Sequence, residues 1–242
     1  MSGHSKWNNI KGRKEKSDAE RSKIFTKLGR EIMVAVKEGG ANVDSNSKLK
    51  MAIAKARQFN MPNDRINGII KKNSEMDNSN FVEQTYEGYG VGGVAVIVKC
   101  YTDNKNRTSS DVRYAFDKFG GSLGSTGCVS YMFTTRGEVV VEKNDKFNSD
   151  SAMELAINLN AVDCEDDEVF TVITEPSASA VNDIVAGFES AGYTILSSGV
   201  ETVPQNYTTL NESQTETFNK MIDKLNESDD VIDVIHNLEE EE

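Results

Sequence analysis

Lys6, Lys11, Arg13, Lys14 and Lys16 crowd the first seventeen residues, and the chain's single tryptophan, Trp7, stands among them. Cations at this density suit phosphate groups, whose attraction is long-ranged and indifferent to base sequence. An exposed Trp7 adds a flat ring on which an unpaired base can stack, worth roughly 1–3 kcal/mol. A Trp7 tucked beneath neighbouring helices is an ordinary packing residue, and the sequence leaves both readings open. Lys23, Lys27 and Arg30 carry the positive charge onward. At about 100° per residue they fall, with Lys37, opposite an apolar stripe of Ile24, Phe25, Leu28, Ile32, Ala35 and Val36. The candidate nucleic-acid-binding set is therefore Lys6, Trp7, Lys11, Arg13, Lys14, Lys16, Lys23, Lys27 and Arg30.

Other chemistries find little support. Gly90-Val91-Gly92-Gly93 lies between two strand-like stretches, so no helix N-terminus follows to receive a phosphate. Gly120, Gly121, Gly124 and Gly127 follow a helical stretch and lead to no Lys-Ser or Lys-Thr pair, so both clusters read as turns. Two histidines, His4 and His236, are too few for a His-rich metal site, and no nucleophile with its base and orienting group is visible. Glu165-Asp166-Asp167-Glu168 reads as a solvated turn before it reads as a cation site. Cys100, Cys128 and Cys164 are odd in number and widely spaced, which argues against a disulfide framework or a zinc site. The expectation is a protein without catalytic residues, metal or cofactor, and with no small-molecule substrate.

The elements that must position the basic residues follow from periodicity and charge. The first 75 residues hold 17 Lys and Arg against 8 Asp and Glu, while the remainder holds 10 against 31. The overall net charge of −12 thus conceals a basic module on an acidic body. Three amphipathic helices are expected in that module: Asp18 to Glu38, ended by Gly39-Gly40, then Ser47 to Phe59, then a short one carrying Ile66, Ile69 and Ile70. Beyond residue 80 the pattern alternates. Strands are expected at Phe81 to Tyr89, Val94 to Thr102 and Val129 to Phe133, with a helix at Ser110 to Phe119. The loop Asp103-Asn104-Lys105-Asn106-Arg107-Thr108 precedes that helix, whose start Thr108 to Ser110 can cap. From Glu138 to Val203 the order is β-α-β-β-α-β, the ferredoxin-like pattern. A helix at Glu212 to Asn226 and a strand at Val231 to His236 then return to the sheet begun at residue 81.

The expected fold class is α+β. A basic three-helix domain (1–78) precedes an α+β domain (79–134 and 204–242) interrupted by an inserted ferredoxin-like domain (135–203). The longest apolar run, Val94 to Val98, is far short of the ~20 residues that span a membrane. The N-terminus has no apolar stretch behind its charges, so a cytoplasmic location is expected. The acidic C-terminal residues Glu239 to Glu242 have two readings, solubility or a decoy polyanion for the basic arm.

Particular motifs extend these expectations. Gly3-His4-Ser5-Lys6-Trp7-Asn8-Asn9-Ile10, Ile24-Phe25-Thr26-Lys27 and Asn60-Met61-Pro62 are similar to the YebC/PmpR family. So are Tyr86-Glu87-Gly88-Tyr89-Gly90-Val91-Gly92-Gly93 and Asp103-Asn104-Lys105-Asn106-Arg107-Thr108, followed by Val112-Arg113 and Gly120-Gly121. The chain departs from the family pattern at Glu20 and Ser22, where Lys and Gly are usual, and at Lys72-Asn73-Ser74-Glu75-Met76. The resemblance implies the same three domains and a non-enzymatic regulator of gene expression. It implies a DNA-binding transcriptional regulator first, with a translational activator acting on the ribosome as the alternative. The implied partners are DNA or ribosomal RNA on the basic domain and proteins on the acidic domains, with no membrane.

Overall fold

The computed structural model describes residues 18–75, 80–145 and 147–239. Its elements in chain order begin with α1 (Asp18–Gly39), α2 (Ser47–Gln58) and α3 (Asn63–Glu75). Then come β1 (Val82–Tyr89), β2 (Ala95–Thr102), α4 (Lys105–Lys118) and β3 (Ser122–Leu123). A third stretch holds β4 (Phe133–Val141), α5 (Ser149–Asn158), β5 (Asp163–Asp166), β6 (Phe170–Thr174), α6 (Ala178–Ser190) and β7 (Ile195–Pro204). The chain closes with α7 (Glu212–Asn226) and β8 (Val231–His236). The architecture is α+β, with two four-stranded antiparallel sheets of order β3-β1-β2-β8 and β5-β6-β4-β7.

The apolar stripes of the first three helices meet in one core. Leu28, Ile32 and Val36 of α1 interlock with Leu49, Ile53 and Ala56 of α2 and with Met61 and Ile66. Asn46 locks the α1–α2 corner. Its Oδ1 accepts from the Leu49 amide at 3.0 Å, and its Nδ2 donates to the Ala35 carbonyl at 2.7 Å and the Gly40 carbonyl at 2.8 Å. One side chain thus satisfies groups at the end of one helix and the start of the next. A Cβ on Gly39 would lie 2.6 Å from that Nδ2, so any other residue there must displace the Asn46 side chain.

In the first sheet, Val94, Val96, Val98 and Cys100 face a core shared with Val112 and Phe116 of α4 and Phe218, Met221 and Leu225 of α7. In the second sheet, α5 and α6 cover a face built on Val139, Val141, Phe170 and Val172. The chain leaves the first sheet after β3, completes the second, and returns only with β8, which pairs with β2. The helical module touches both sheet units. Here α1 lies against β8, α2 lies against α6 and β7, and Met51 joins the second sheet's core.

Three elements differ from expectation, the first being β3, which pairs with β1 inside the Gly120 to Gly127 cluster expected to be a turn. The helix expected from Ser110 begins at Lys105, because Asn104 is the cap: its Oδ1 accepts the Arg107 amide at 3.1 Å. Thr108, expected near the start, lies inside the helix and is fully buried. The strand expected at Val129 to Phe133 is mostly a loop with a single 3₁₀ turn at Ser130–Met132, and the next strand starts at Phe133. There the amides of Gly127, Val129 and Ser130 donate to the Glu87 carboxylate at 2.8, 3.0 and 2.9 Å. Those donors are spent on a side chain, so no ladder forms.

Candidate nucleic-acid interface

Helix α1 carries the described part of the expected interface. Lys6, Trp7, Lys11, Arg13, Lys14 and Lys16 lie outside the described residues. Lys23, Lys27 and Arg30 are described, and the structure separates them. Lys23 is exposed. Lys27 Nζ donates to Asn226 Oδ1 at the end of α7. Burial is the main influence on Lys27 and draws its ammonium below the ordinary lysine value, against the opposing charge of Asp233. The Arg30 guanidinium donates to the Tyr101 carbonyl at 2.7 Å and pairs with Asp230 at 3.2 Å, leaving its side chain 17% exposed. Lys37 donates to the Phe81 carbonyl and lies 5.9 Å from the centre of the Tyr101 ring.

The positive face of α1 was expected to look into water. Over Lys27 and Arg30 it is instead the seat by which the basic module rests on the acidic body, while Lys37 stays exposed beside Phe81. Spacing at about 100° per residue shows which side of a helix is charged; it does not show what packs there.

The acceptor at the centre of this seat is Asp230, just ahead of β8, with only 6% of its side chain exposed. It pairs with Arg107 at 2.7 Å and Arg30 at 3.2 Å, while Thr108 Oγ1 and Thr102 Oγ1 donate to it at 2.9 and 3.1 Å. Burial alone would raise its pKa. The hydrogen bonds from Arg107 and Thr108, with the charge of Arg30, outweigh it and hold the carboxyl below the usual aspartate value. The same balance holds at Glu87: burial raises it, and three backbone N–H donors bring it below the ordinary glutamate value. Arg107, from the polar loop before α4, is committed to Asp230 and to Asp103 at 2.9 Å.

Positive charge that does reach solvent is spread over the three helices. Lys23, Lys50, Arg57, Arg65, Lys71 and Lys72 are exposed, with Arg65 stacked 5.2 Å from the Phe25 ring and Arg57 Nε held by Asn63 at 3.1 Å. Sequence reasoning passed over Arg65, Lys71 and Lys72, although the Lys71-Lys72 pair was a readable signal. Asp230 and Thr102 had no local signal, because their partners come from distant parts of the chain.

The remaining candidate chemistry is accounted for by structure. Asp166 pairs with Lys143 at 2.6 Å and Glu165 with Arg136 at 3.3 Å. Among the described residues no group of three or more His, Cys, Asp or Glu is placed to hold a metal ion. All three cysteines are free, and burial first, then the Asp230 charge, pushes the Cys100 thiol up to about 12. No described helix is long and apolar enough to cross a membrane.

Comparison with known proteins agrees over nearly the whole chain. Residues 5–76 match the family description "TACO1/YebC protein N-terminal domain", and residues 81–238 match "TACO1/YebC second and third domain". A protein of Acetivibrio thermocellus named "probable transcriptional regulatory protein" is 52% identical over 240 residues, covering 98% of both chains. One of Clostridium acetobutylicum with the same description is 48% identical over 244 residues, covering 100% of this chain and 98% of its own. The crystal structure of a conserved hypothetical protein from Aquifex aeolicus superposes with a TM-score of 0.78 at 39% identity, covering 94% of each chain.

Proposed function

We propose, since this chain belongs to the TACO1/YebC family, that it regulates gene expression by binding nucleic acid through its basic N-terminal domain, as a DNA-binding transcriptional regulator. The observation that carries this reading is the segregation of charge, 17 basic against 8 acidic residues before residue 76 and 10 against 31 after it. A uniformly acidic protein would be repelled by a polyanion, whereas a basic module on an acidic body presents one face to it. The names of the relatives point the same way.

In this reading Lys6, Lys11, Arg13, Lys14, Lys16 and Lys23 contact phosphates, Trp7 stacks or packs, and Lys27 and Arg30 hold the module on the body. The chain divides into a helical domain (1–78), an α+β domain (79–134 with 204–242) and a ferredoxin-like insertion (135–203) that positions the module or meets protein partners. The protein is non-enzymatic and works in the cytoplasm without a cofactor.

The test is fluorescence anisotropy against duplex DNA across a salt series. If about five phosphates are contacted, affinity falls roughly 100- to 1,000-fold between 50 and 200 mM salt. The pair Lys11→Glu and Arg13→Glu should lower affinity and flatten that slope while the circular dichroism spectrum is unchanged. A salt-independent interaction, or full affinity in the double variant, refutes the reading.

A further inference from the structure

Between α4 and the last turn of α7 lies an open groove of about 350 Å³. Its base is formed by the buried Leu225 and Val231, with Asp111 and Tyr114 on one wall and Lys224 and Glu227 on the other. Small-ligand sites run to roughly 300–1,000 Å³, so this one has room for a single nucleoside and none for a helix.

Three features of the groove suit an unpaired base. Tyr114 is 52% exposed and presents a ring that no core element covers. Lys118 Nζ lies over that ring, 5.4 Å from its centre, so a base stacking on that face takes the place of the ammonium and frees its charge for a flanking phosphate. The acids inside the groove, Asp111 and Glu227, exclude a phosphate from its centre but accept hydrogen bonds from the amino groups of cytosine, adenine or guanine.

The surroundings supply the phosphate contacts. Lys27 reaches Asn226, so α1 crosses the end of α7 and the groove opens beside the first turns of α1. Lys23 is exposed there. Its charge and that of Lys118 add to the Lys224 ion pair, 2.7 Å long, in holding the Glu227 carboxyl below its ordinary range.

We propose that this groove takes one unpaired nucleotide of a bound single strand, its base stacked on Tyr114 with an amino edge toward Asp111, and its flanking phosphates on Lys118 and Lys23. The inference deepens the nucleic-acid reading and rests on it. The shared chemistry is a single strand with exposed base faces, from RNA or from locally opened DNA.

The test uses the full chain with fluorescein-labelled oligocytidine of about 12 nucleotides, as RNA and as DNA, beside a duplex of equal length. Tyr114→Ala should weaken single-strand binding by roughly 5- to 100-fold, as expected for the loss of one base–aromatic stack, with duplex affinity unchanged. Tyr114→Phe should retain it, and Lys118→Ala should reduce the salt slope by about one. The strand chemistry that loses affinity in Tyr114→Ala identifies the source. Single-strand binding by the unmodified protein that is indifferent to Tyr114→Ala overturns the groove and leaves the functional reading standing. No binding to any of the three probes overturns both.

Discussion

Replacing Asp230 with alanine removes the carboxylate on which two arginines and two threonine hydroxyls converge. The donors fare differently once it is gone. The freed Thr108 hydroxyl proton can turn to the Asn104 carbonyl at 3.1 Å, and that of Thr102 to Thr108 Oγ1 at 2.8 Å. Arg107 is 49% exposed and turns to water or to Asp103. Arg30 retains the Tyr101 carbonyl but loses Asp230, its counter-ion among the described residues, while only 17% exposed. Stranding one partner of a buried pair costs roughly 3–5 kcal/mol, and the replacement bonds open to the threonines put Asp230→Ala at the lower end, about 3 kcal/mol. In urea, followed by far-UV circular dichroism at pH 7, the midpoint should fall by about 1 M. Arg30→Ala should be similarly costly, and Arg107→Ala much less so, because water screens its pair. In a double-mutant cycle the Arg30 and Asp230 losses should be strongly non-additive. An Asp230→Ala midpoint within experimental error of the parent, or additive losses, would refute this account of the seat.

Two further outcomes concern titration and the loop on Glu87. Because Glu87 is held below its ordinary value of 4.5, its contribution is complete above that pH and is lost as pH falls through the lowered folded value. Glu87→Gln, with one carbonyl oxygen for three N–H donors, should cost about 2–3 kcal/mol at pH 7 and remove that acid-limb dependence, read from urea midpoints between pH 6 and 3. His236 is held by burial below its ordinary value of 6.5, with its ring edge-on to Phe218 at 5.1 Å. A base whose folded pKa is lowered stabilises fully above its unfolded value and loses that contribution as pH falls below 6.5, since the unfolded chain then binds the proton more readily. His236→Phe should therefore flatten the stability profile between pH 7 and 5; an unaltered profile would mean the imidazole is not the group responsible.

Helix α7 and strand β8 were legible to the residue, because the 3.6-residue apolar period of Phe218, Met221 and Leu225 gives way to the β-branched run Val231, Ile232, Val234 and Ile235. The start of α4 was misplaced because several adjacent residues can all cap. The choice of Asn104 was made by Thr108, which had to lie inside the helix to reach Asp230. The strand expected at Val129 was lost to Glu87, a partner more than thirty residues earlier that no local pattern announces. The candidate interface shows the same division. Which residues of α1 are charged follows from the sequence alone, whereas the burial of Lys27 and Arg30 depends on α7 and β8, at the far end of the chain.

The late return of β8 also sets an order of events during synthesis. Strand β2 is made well before its outer neighbour, and at ~5–20 residues per second its edge stays unpaired for on the order of ten seconds. Through that interval Arg30 has no Asp230 to meet, so the growing polypeptide carries the whole cationic side of α1 uncovered. Emergence of the last strand closes the exposed edge and neutralises that side together. A chain still lacking this segment and one that has it therefore present different charge to any polyanion nearby, and the stretch from Asp230 to His236 decides which is seen.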